Sequence, residues 1–188
     1  STELLGRSPD SRRVWLPGGR APRMGERFRN PEFAATLRAI AAQGYDAFYT
    51  GPIAERIAAA VRADGGVMTA GDLAAYQAEW VEPIAVAYGD GYAFHEIPPN
   101  GQGLAALLAL NIVRGFGLGD MAYGSADYYH VLIEAMKLAF ADAHAYIGDP
   151  RRVDVPVGGL LSPGYTRERR ALIAKDRALF PQPGQPPR

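Results

Sequence analysis

The chain has 188 residues, 48% of them hydrophobic, and its 20 basic and 20 acidic side chains give a formal net charge of zero at pH 7. This length and composition are those of one globular domain, 1–188, with a core of its own. The absence of a basic surplus argues against nucleic acid as a partner. The longest apolar run, 104–113, is far shorter than the roughly 20 residues of a membrane-spanning helix, so we expect no membrane segment. The absence of cysteine excludes disulfides, thiolate metal sites and a cysteine nucleophile.

The first third of the chain has helix signals after an irregular start. Residues 1–29 are rich in glycine, proline and arginine and lack an apolar period, so we interpret them as an extended arm. Asn30 can then cap a helix that has Pro31 in its first turn, and Gly44 ends it.

Two further helices are predicted before the composition changes. Pro52 begins a helix with an apolar stripe, which ends at Gly65. Thr69 and Asp72 resemble a capping box, with aspartate in place of glutamate, at the start of a short helix through Tyr76. The first third is therefore expected to be helical.

A change of pattern between Glu82 and Ile97 predicts a β-hairpin. The runs PIAVAY and YAFHEI lie on either side of Gly89-Asp90-Gly91, where glycine permits the positive φ angles of a tight turn. The hairpin should end at Pro98 and Pro99, because neither residue can donate a hydrogen bond to a strand ladder.

The remainder of the chain is predicted to be helical again. Ser125 should cap a long helix to about Ile147, with an apolar stripe of Tyr128, Leu132, Ala135, Met136, Ala139 and Ala143. Ser162 begins a final charged helix to about Leu179, and residues 181–188 are expected to be a flexible, solvated tail.

The stretch EIPPNGQGLAALLALNIVRG contains Gly101-x-Gly103-x-x-Ala106 and raises the question of dinucleotide binding. Such a loop also needs a parallel βαβ unit, a strand that leads directly into the turn, and an acid about twenty residues further on. Here two prolines interrupt the connection, the strand is expected to be antiparallel to its neighbour, and Asp120 lies in a glycine-rich loop. We favour a tight turn that lets the next helix pack on the hairpin, and keep a nucleotide-binding module as the remote alternative.

Ionisable side chains of the long helix give no complete catalytic or metal set. His130 and Glu134 could share a metal, but zinc needs at least a third ligand, which nothing nearby supplies. Glu134 and Lys137 fit an ion pair, and Asp142 and His144 lie on different sides of the helix. No nucleophile, base and oxyanion donor occur together, so we assign no catalytic, cofactor-binding or metal residue and expect no cofactor.

Five stretches of the chain occur in the order and spacing of one known family. They are LPGGRAPRMGERFRNPEFAATL, GYDAFYTGPIAERIAAAV, GGVMTAGDLAAYQAEWVEPI, PPNGQGLAALLALNIVRGF and GSADYYHVLIEAMKLAFADAHAYIGDP. Together they resemble the gamma-glutamyltransferase (gamma-glutamyltranspeptidase) family over about Val14 to Leu172. Five linked segments are far more specific than one glycine pattern.

The resemblance implies an N-terminal nucleophile enzyme. In that family a precursor cuts itself, and the threonine exposed on the small subunit attacks a gamma-glutamyl amide such as glutathione, with its own amino group as base. This chain then corresponds to the C-terminal part of the large subunit, without the nucleophile and inactive alone. The implied fold is mainly α, an orthogonal helical domain with one small β-hairpin, as a fragment of an αββα N-terminal nucleophile hydrolase. The implied partners are the small subunit of the same precursor and a gamma-glutamyl small-molecule substrate.

The positions that match the family's motifs are expected to have a scaffold role. They are Pro98, Pro99, Gly101, Gly103, Glu134, Lys137, Asp142, Asp149 and Pro150. The chain departs from the family at 100–103, where it has Asn-Gly-Gln-Gly and many members have Ser-Ser-Gly-Gly. It also has Ala-Asp-Ala at 141–143, where Ala-Asp-Arg is common.

These departures leave the substrate open. Related acylases, a gamma-polyglutamate hydrolase and a non-catalytic binding or structural member are the alternatives, and the cellular location is not fixed. A piece of a large subunit is also expected to expose apolar surface, which could make the chain a homo-oligomer.

Overall fold

The structure is a computed structural model that describes residues 2–89 and 91–188, so Asp90 of the predicted hairpin turn lies outside the described residues. The chain divides into two compact units, Ser1–Ala78 and Glu79–Arg188, and each is described by itself. The expectation of a single domain over 1–188 stays a prediction. Over the described residues the fold is mainly helical with one two-stranded antiparallel hairpin, which confirms the predicted fold class. No helix among these residues has both the length and the apolar character needed to cross a membrane.

The first unit contains six helices in its described part. They are α1 (Thr2–Gly6), α2 (Pro9–Trp15), α3 (Pro31–Gln43), α4 (Asp46–Tyr49), α5 (Pro52–Ala63) and α6 (Ala70–Ala74). Asn30 caps α3 by accepting a hydrogen bond from the Phe33 amide at 2.9 Å, and Thr69 and Asp72 form the reciprocal capping box of α6. These predicted helix starts are confirmed.

Residues 1–29 differ from the extended arm that the sequence predicted, since they contain α1 and α2. Ser8 caps α2 by accepting a hydrogen bond from the Ser11 amide at 3.3 Å, and Pro9 lies in the first turn, where its missing N–H is not needed. A short 3₁₀ turn, Pro17–Gly19, follows α2, and the longest described stretch of this region without helix or strand is 20–30. The start signal was therefore present in the Ser-Pro-Asp sequence.

The second unit contains the hairpin and four helices in its described part. The strands β1 (Ile84–Ala87) and β2 (Ala93–Glu96) pair antiparallel, with Ile84 opposite Glu96. The helices are α7 (Gly103–Val113), α8 (Ala126–Tyr146), α9 (Val157–Leu160) and α10 (Pro163–Ala171), and two short 3₁₀ turns follow α7. Ser125 and Ser162 cap α8 and α10 as predicted.

The core of the second unit is built on α7, which is apolar almost all round and buried along its length. It packs most extensively on α8 and also contacts α10 and both strands. The buried core residues of this unit include Leu104, Leu108, Ile112, Val131, Ala135, Leu138 and Ala139. A helix with no polar face needs partners on several sides, and these elements supply them.

The buried face of α8 differs from the predicted apolar stripe. Ala135, Ala139 and Ala143 are buried as expected, but Met136 is 43% exposed. Glu134 and Asp142 are buried instead, at 2% and 0% exposure. Charged side chains can take core positions only when they are paired, and apolar periodicity cannot show such pairing.

The last helix ends at Ala171, well before the predicted end near Leu179. Residues 172–188, which we name the C-terminal segment, form no further helix or strand. Their backbone groups bond to side chains of α8 and α10 at several points, which replaces the hydrogen bonds of a continuing helix. Residues 181–188, predicted as a solvated tail, take part in these contacts.

The start of α7 gives a matched test of packing. A Cβ atom at Gly103 would lie 2.7 Å from the Cβ of Glu96, whereas a Cβ at Gly101 would meet nothing within 4 Å. We expect Gly103→Ala to lower the free energy of unfolding by about 1–3 kcal/mol, because the helix must move away from β2. Gly101→Ala, the control, should change it by less than about 0.5 kcal/mol. Urea denaturation compares the two, and equal values would contradict the close packing.

Candidate functional site

The motif residues Pro98, Pro99, Gly101 and Gly103 lie together in the connection between β2 and α7. Pro98 and Pro99 follow the strand, and Gly103 is the first residue of the helix. The strand before them is antiparallel to its one partner, and no parallel pair occurs among residues 2–89 and 91–188. The geometry thus favours the tight turn over a dinucleotide loop, which requires a parallel βαβ unit.

Glu134 forms the first of two buried carboxylate sites on α8. Its carboxylate accepts hydrogen bonds from Lys137 Nζ at 2.8 and 3.1 Å, which confirms the predicted ion pair. One of its oxygens also accepts from the Leu179 amide at 3.0 Å. The buried charge is therefore both neutralised and hydrogen-bonded to the C-terminal segment.

Asp142 forms the second site, two turns further along α8. Its Oδ1 accepts a hydrogen bond from the Gly184 amide at 2.8 Å, and its Oδ2 lies 3.0 Å from Arg169 Nε. Arg169 is itself only 4% exposed, and its Nη2 donates to the carbonyl of Gln182 at 3.0 Å. Two opposite buried charges thus compensate each other and also fix the C-terminal segment. His144 is exposed, so it lies away from Asp142 as predicted.

Two tyrosines complete the surroundings of this pair. Tyr146 donates a hydrogen bond to the Gly184 carbonyl at 2.6 Å, and the Tyr165 ring lies beside the Arg169 guanidinium. The space at Gly184 is so narrow that a Cβ there would overlap the Tyr165 hydroxyl. Burial, and then the neighbouring Asp142 carboxylate, raises the pKa of the Tyr165 phenol above its ordinary value.

His130 makes a further contact of the same kind. Its Nε2 lies 2.7 Å from the carbonyl oxygen of Ala174, and since a carbonyl can only accept, we assign the proton to Nε2. His130 and Glu134 are therefore both engaged by the backbone of the C-terminal segment. Among the described residues no three histidine, aspartate or glutamate side chains group as metal ligands.

Asp149 and Pro150 lie in the turn that follows α8. Asp149 Oδ1 accepts from the Arg151 amide at 3.0 Å, and this bond holds the pKa of the carboxyl below its ordinary value. The Asp149 carbonyl accepts from the Arg152 amide at 2.8 Å. The geometry is that of a turn that reverses the chain after the helix.

Among the described threonines only the Thr69 hydroxyl donates to a carboxylate, that of Asp72 at 2.8 Å, in a contact that caps α6. Thr50 donates to the carbonyl of Asp46 at 2.7 Å, and Thr69 belongs to its capping box. The Thr166 hydroxyl is buried and has no hydrogen-bond partner in the described part of the chain. The side-chain contacts of α8 and α10 instead hold the C-terminal segment in place.

Sequence reasoning missed the residues that complete the Asp142 site. Tyr165 and Arg169 are spaced i, i+4 in the helix that was predicted only as a charged helix. Both therefore fall on its buried face. That spacing was the available signal, although it does not name Asp142 as the partner. Tyr146 and Gly184 carried no signal, because their contact joins residues 38 positions apart.

A comparison with protein families gives one match that spans nearly the whole chain. The family model described as Gamma-glutamyltranspeptidase matches residues 1–187.

Curated relatives and solved structures agree with that match. The glutathione hydrolase-like YwrD proenzyme of Bacillus subtilis (strain 168) is 39% identical over 166 residues, which are 88% of this chain and 31% of the relative. The oxamate amidohydrolase proenzyme of Klebsiella pneumoniae is 42% identical over 161 residues, 86% of this chain and 30% of the relative. The crystal structure of cephalosporin acylase from Bacillus halodurans superposes with a TM-score of 0.79 at 48% identity, covering 93% of this chain and 32% of that one. This chain thus spans about a third of the length of each relative.

The Asp142 carboxylate gives a test of the buried pair. We expect Asp142→Asn to lower the free energy of unfolding by about 3–5 kcal/mol, because it leaves the Arg169 charge buried without its counter-charge. Asp127→Asn, at an exposed position in the first turn of α8, is the control and should cost less than about 1 kcal/mol. Urea denaturation measures both, and a loss no larger than that of the control would show that the pair is not needed.

The Tyr165 phenol gives a test by pH. Its pKa is raised in the folded protein, so the unfolded chain loses this proton first, and stability must fall as pH rises above about 10. Tyr165→Phe removes this titrating group, so the stability of the variant should fall less steeply than that of the wild type between pH 9 and pH 11. The wild-type hydroxyl has no hydrogen-bond partner among the described residues, so the variant should lose little at pH 7. Parallel stability curves across this range would contradict the raised pKa.

Proposed function

We propose that this chain, which belongs to the gamma-glutamyltranspeptidase family of N-terminal nucleophile hydrolase proenzymes, is part of an enzyme that cuts itself and then transfers or hydrolyses gamma-glutamyl groups. The observation that carries the proposal is the match of the family model to residues 1–187. The nucleophile would be an N-terminal threonine outside this chain, activated by its own amino group.

The role of this chain in the enzyme is that of a scaffold. Its buried carboxylates are engaged with Lys137, Arg169 and the backbone of the C-terminal segment, which leaves neither free as an acid or base. Among the described threonines only the Thr69 hydroxyl adjoins a carboxylate, and that carboxylate, Asp72, is occupied in the capping box of α6. We therefore expect the chain alone to be inactive, and the motif residues at the β2–α7 turn and on α8 to hold the fold.

A partner subunit from the same precursor is supported by exposed apolar side chains. In the second unit Trp80, Tyr123, Phe180 and Ile133 are all more than half exposed. A partner subunit that covers these side chains would remove their apolar surface from water. The alternative is association of identical chains through the same side chains.

The substrate class that we propose is gamma-glutamyl compounds. The relatives are named for glutathione, oxamate and cephalosporin, so similarity alone does not choose among these amides. We favour gamma-glutamyl compounds because the family model carries that description. Acylase activity, gamma-polyglutamate hydrolysis and a non-catalytic role are the alternatives, and Asn100-Gly101-Gln102-Gly103 is the departure that motivates them.

The proposal is tested first on the full-length gene product. After purification and incubation we expect two fragments by intact mass, the smaller with threonine as its first residue by N-terminal sequencing. Replacing that threonine by alanine should leave one uncut chain and reduce amide cleavage by about 10³-fold or more, because the nucleophile and its base are lost together.

The substrate arm of the experiment compares a gamma-glutamyl anilide, oxamate and a cephalosporin at equal concentration. Preference for the anilide supports the gamma-glutamyl assignment, while preference for another amide keeps the enzyme class and replaces the substrate. A single chain that stays uncut, has no threonine at the expected junction and cleaves none of the three would overturn the proposal in favour of a binding or structural protein.

A further inference from the structure

A cleft of about 270 Å³ lies beside the C-terminal end of α7 and one side of α10. Its lining includes Arg114, Arg167 and Arg170, together with Asn111 and Thr166. Of these, Thr166, Arg167 and Arg170 lie on a different side of α10 from Tyr165 and Arg169, which face the core. The cleft is therefore separate from the buried carboxylates of α8.

Two of the three arginines are held in place by backbone carbonyls. Arg170 donates from Nε to the Ile112 carbonyl at 2.9 Å and from Nη2 to the Asn111 carbonyl at 2.7 Å. Arg114 donates from Nη1 to the Ala87 carbonyl of β1 at 2.7 Å. A Cβ at Gly115 would overlap the Arg170 guanidinium, so the glycine makes room for it. Both guanidinium groups are thus positioned and keep further N–H donors.

The positive charge of the cleft is not compensated by the described residues. None of the three arginines forms an ion pair with a carboxylate in the part of the chain that the structure describes. Burial, and then the charges of Arg114 and Arg167, lowers the pKa of Arg170 below its ordinary value. Like charges held together in a concave site raise the local potential and attract anions.

Capping of α7 accounts for Arg170 but not for the other two arginines. The last carbonyls of a helix lack intrahelical partners, and the two bonds from Arg170 satisfy such groups. Arg167 is exposed and donates to no acceptor among the described residues, although it lines the same cleft. Thr166 also lines the cleft, and its buried hydroxyl has no hydrogen-bond partner among the described residues.

We propose that this cleft binds a small anion with at least two negative charges, of the carboxylate or phosphate class. The planar guanidinium forks of arginine match both anions, and donors already fixed by the backbone bind with a smaller loss of freedom. The volume corresponds to about nine waters at roughly 30 Å³ each, which admits an anion of the size of pyrophosphate or citrate. This site does not depend on the gamma-glutamyl reaction.

To test this, the full-length gene product is titrated with pyrophosphate and, separately, with citrate, and binding is measured by isothermal titration calorimetry. Both titrations are done at 0.15 M salt without divalent cations. We expect saturable binding to one site. Arg167→Gln should weaken it about tenfold, because one charge-assisted contact is lost at an exposed position where the fold is not affected. Arg177→Gln removes the same charge from an exposed position after α10 and should leave binding unchanged. Arg114→Gln serves as a second cleft variant.

Each outcome decides the proposal. Binding of pyrophosphate alone, or of citrate alone, supports the site and assigns the phosphate or the carboxylate class to it. Absence of saturable binding by both anions would overturn it, and so would equal weakening by Arg167→Gln and Arg177→Gln, since that shows attraction by diffuse charge. Unchanged thermal midpoints for the variants confirm that folding is not the cause.

Discussion

The arrangement of the second unit depends on the need of two buried carboxylates for ion-pair and hydrogen-bond partners. Glu134 and Asp142 are almost completely removed from water on α8, and an isolated buried charge would cost several kcal/mol. Neighbours on the same helix can satisfy only part of this demand, as Lys137 does for Glu134. The rest comes from Arg169 and from amides of the C-terminal segment. The path of that segment is thereby fixed without any regular secondary structure.

The apolar helix α7 contacts α8, α10 and both strands, so it holds the elements that supply these partners in position. It lies between the hairpin, α8 and α10, so α10 is placed where Arg169 can reach Asp142. Close contact between α7 and β2 depends on Gly103, which has no side chain to separate them. Arg170 then satisfies carbonyls at the end of α7. One helix without a polar face thus positions both the buried pair and the arginine-lined cleft.

The sequence predicted those features whose causes are local. Helix starts at Asn30, Ser125 and Ser162 are confirmed because the cap and its amide partner are three residues apart. The hairpin is also confirmed, because its two strands and the turn between them are close together in the sequence. The end of α10 was predicted wrongly and the buried face of α8 only in part correctly, because both depend on contacts between residues 27 to 45 positions apart. Family resemblance predicted the fold class but could not name these contacts.

The two sides of α10 show how one short helix separates stability from recognition. Arg169 faces inward, where its charge is neutralised and its donors are used by carbonyls, so a substitution there acts first on folding. Arg167 faces the cleft, where the described residues offer it neither a counter-charge nor an acceptor. The same residue type therefore has opposite consequences two positions apart. Since a scaffold does not fix what is bound to it, differences among relatives on this fold are better sought at the second kind of position.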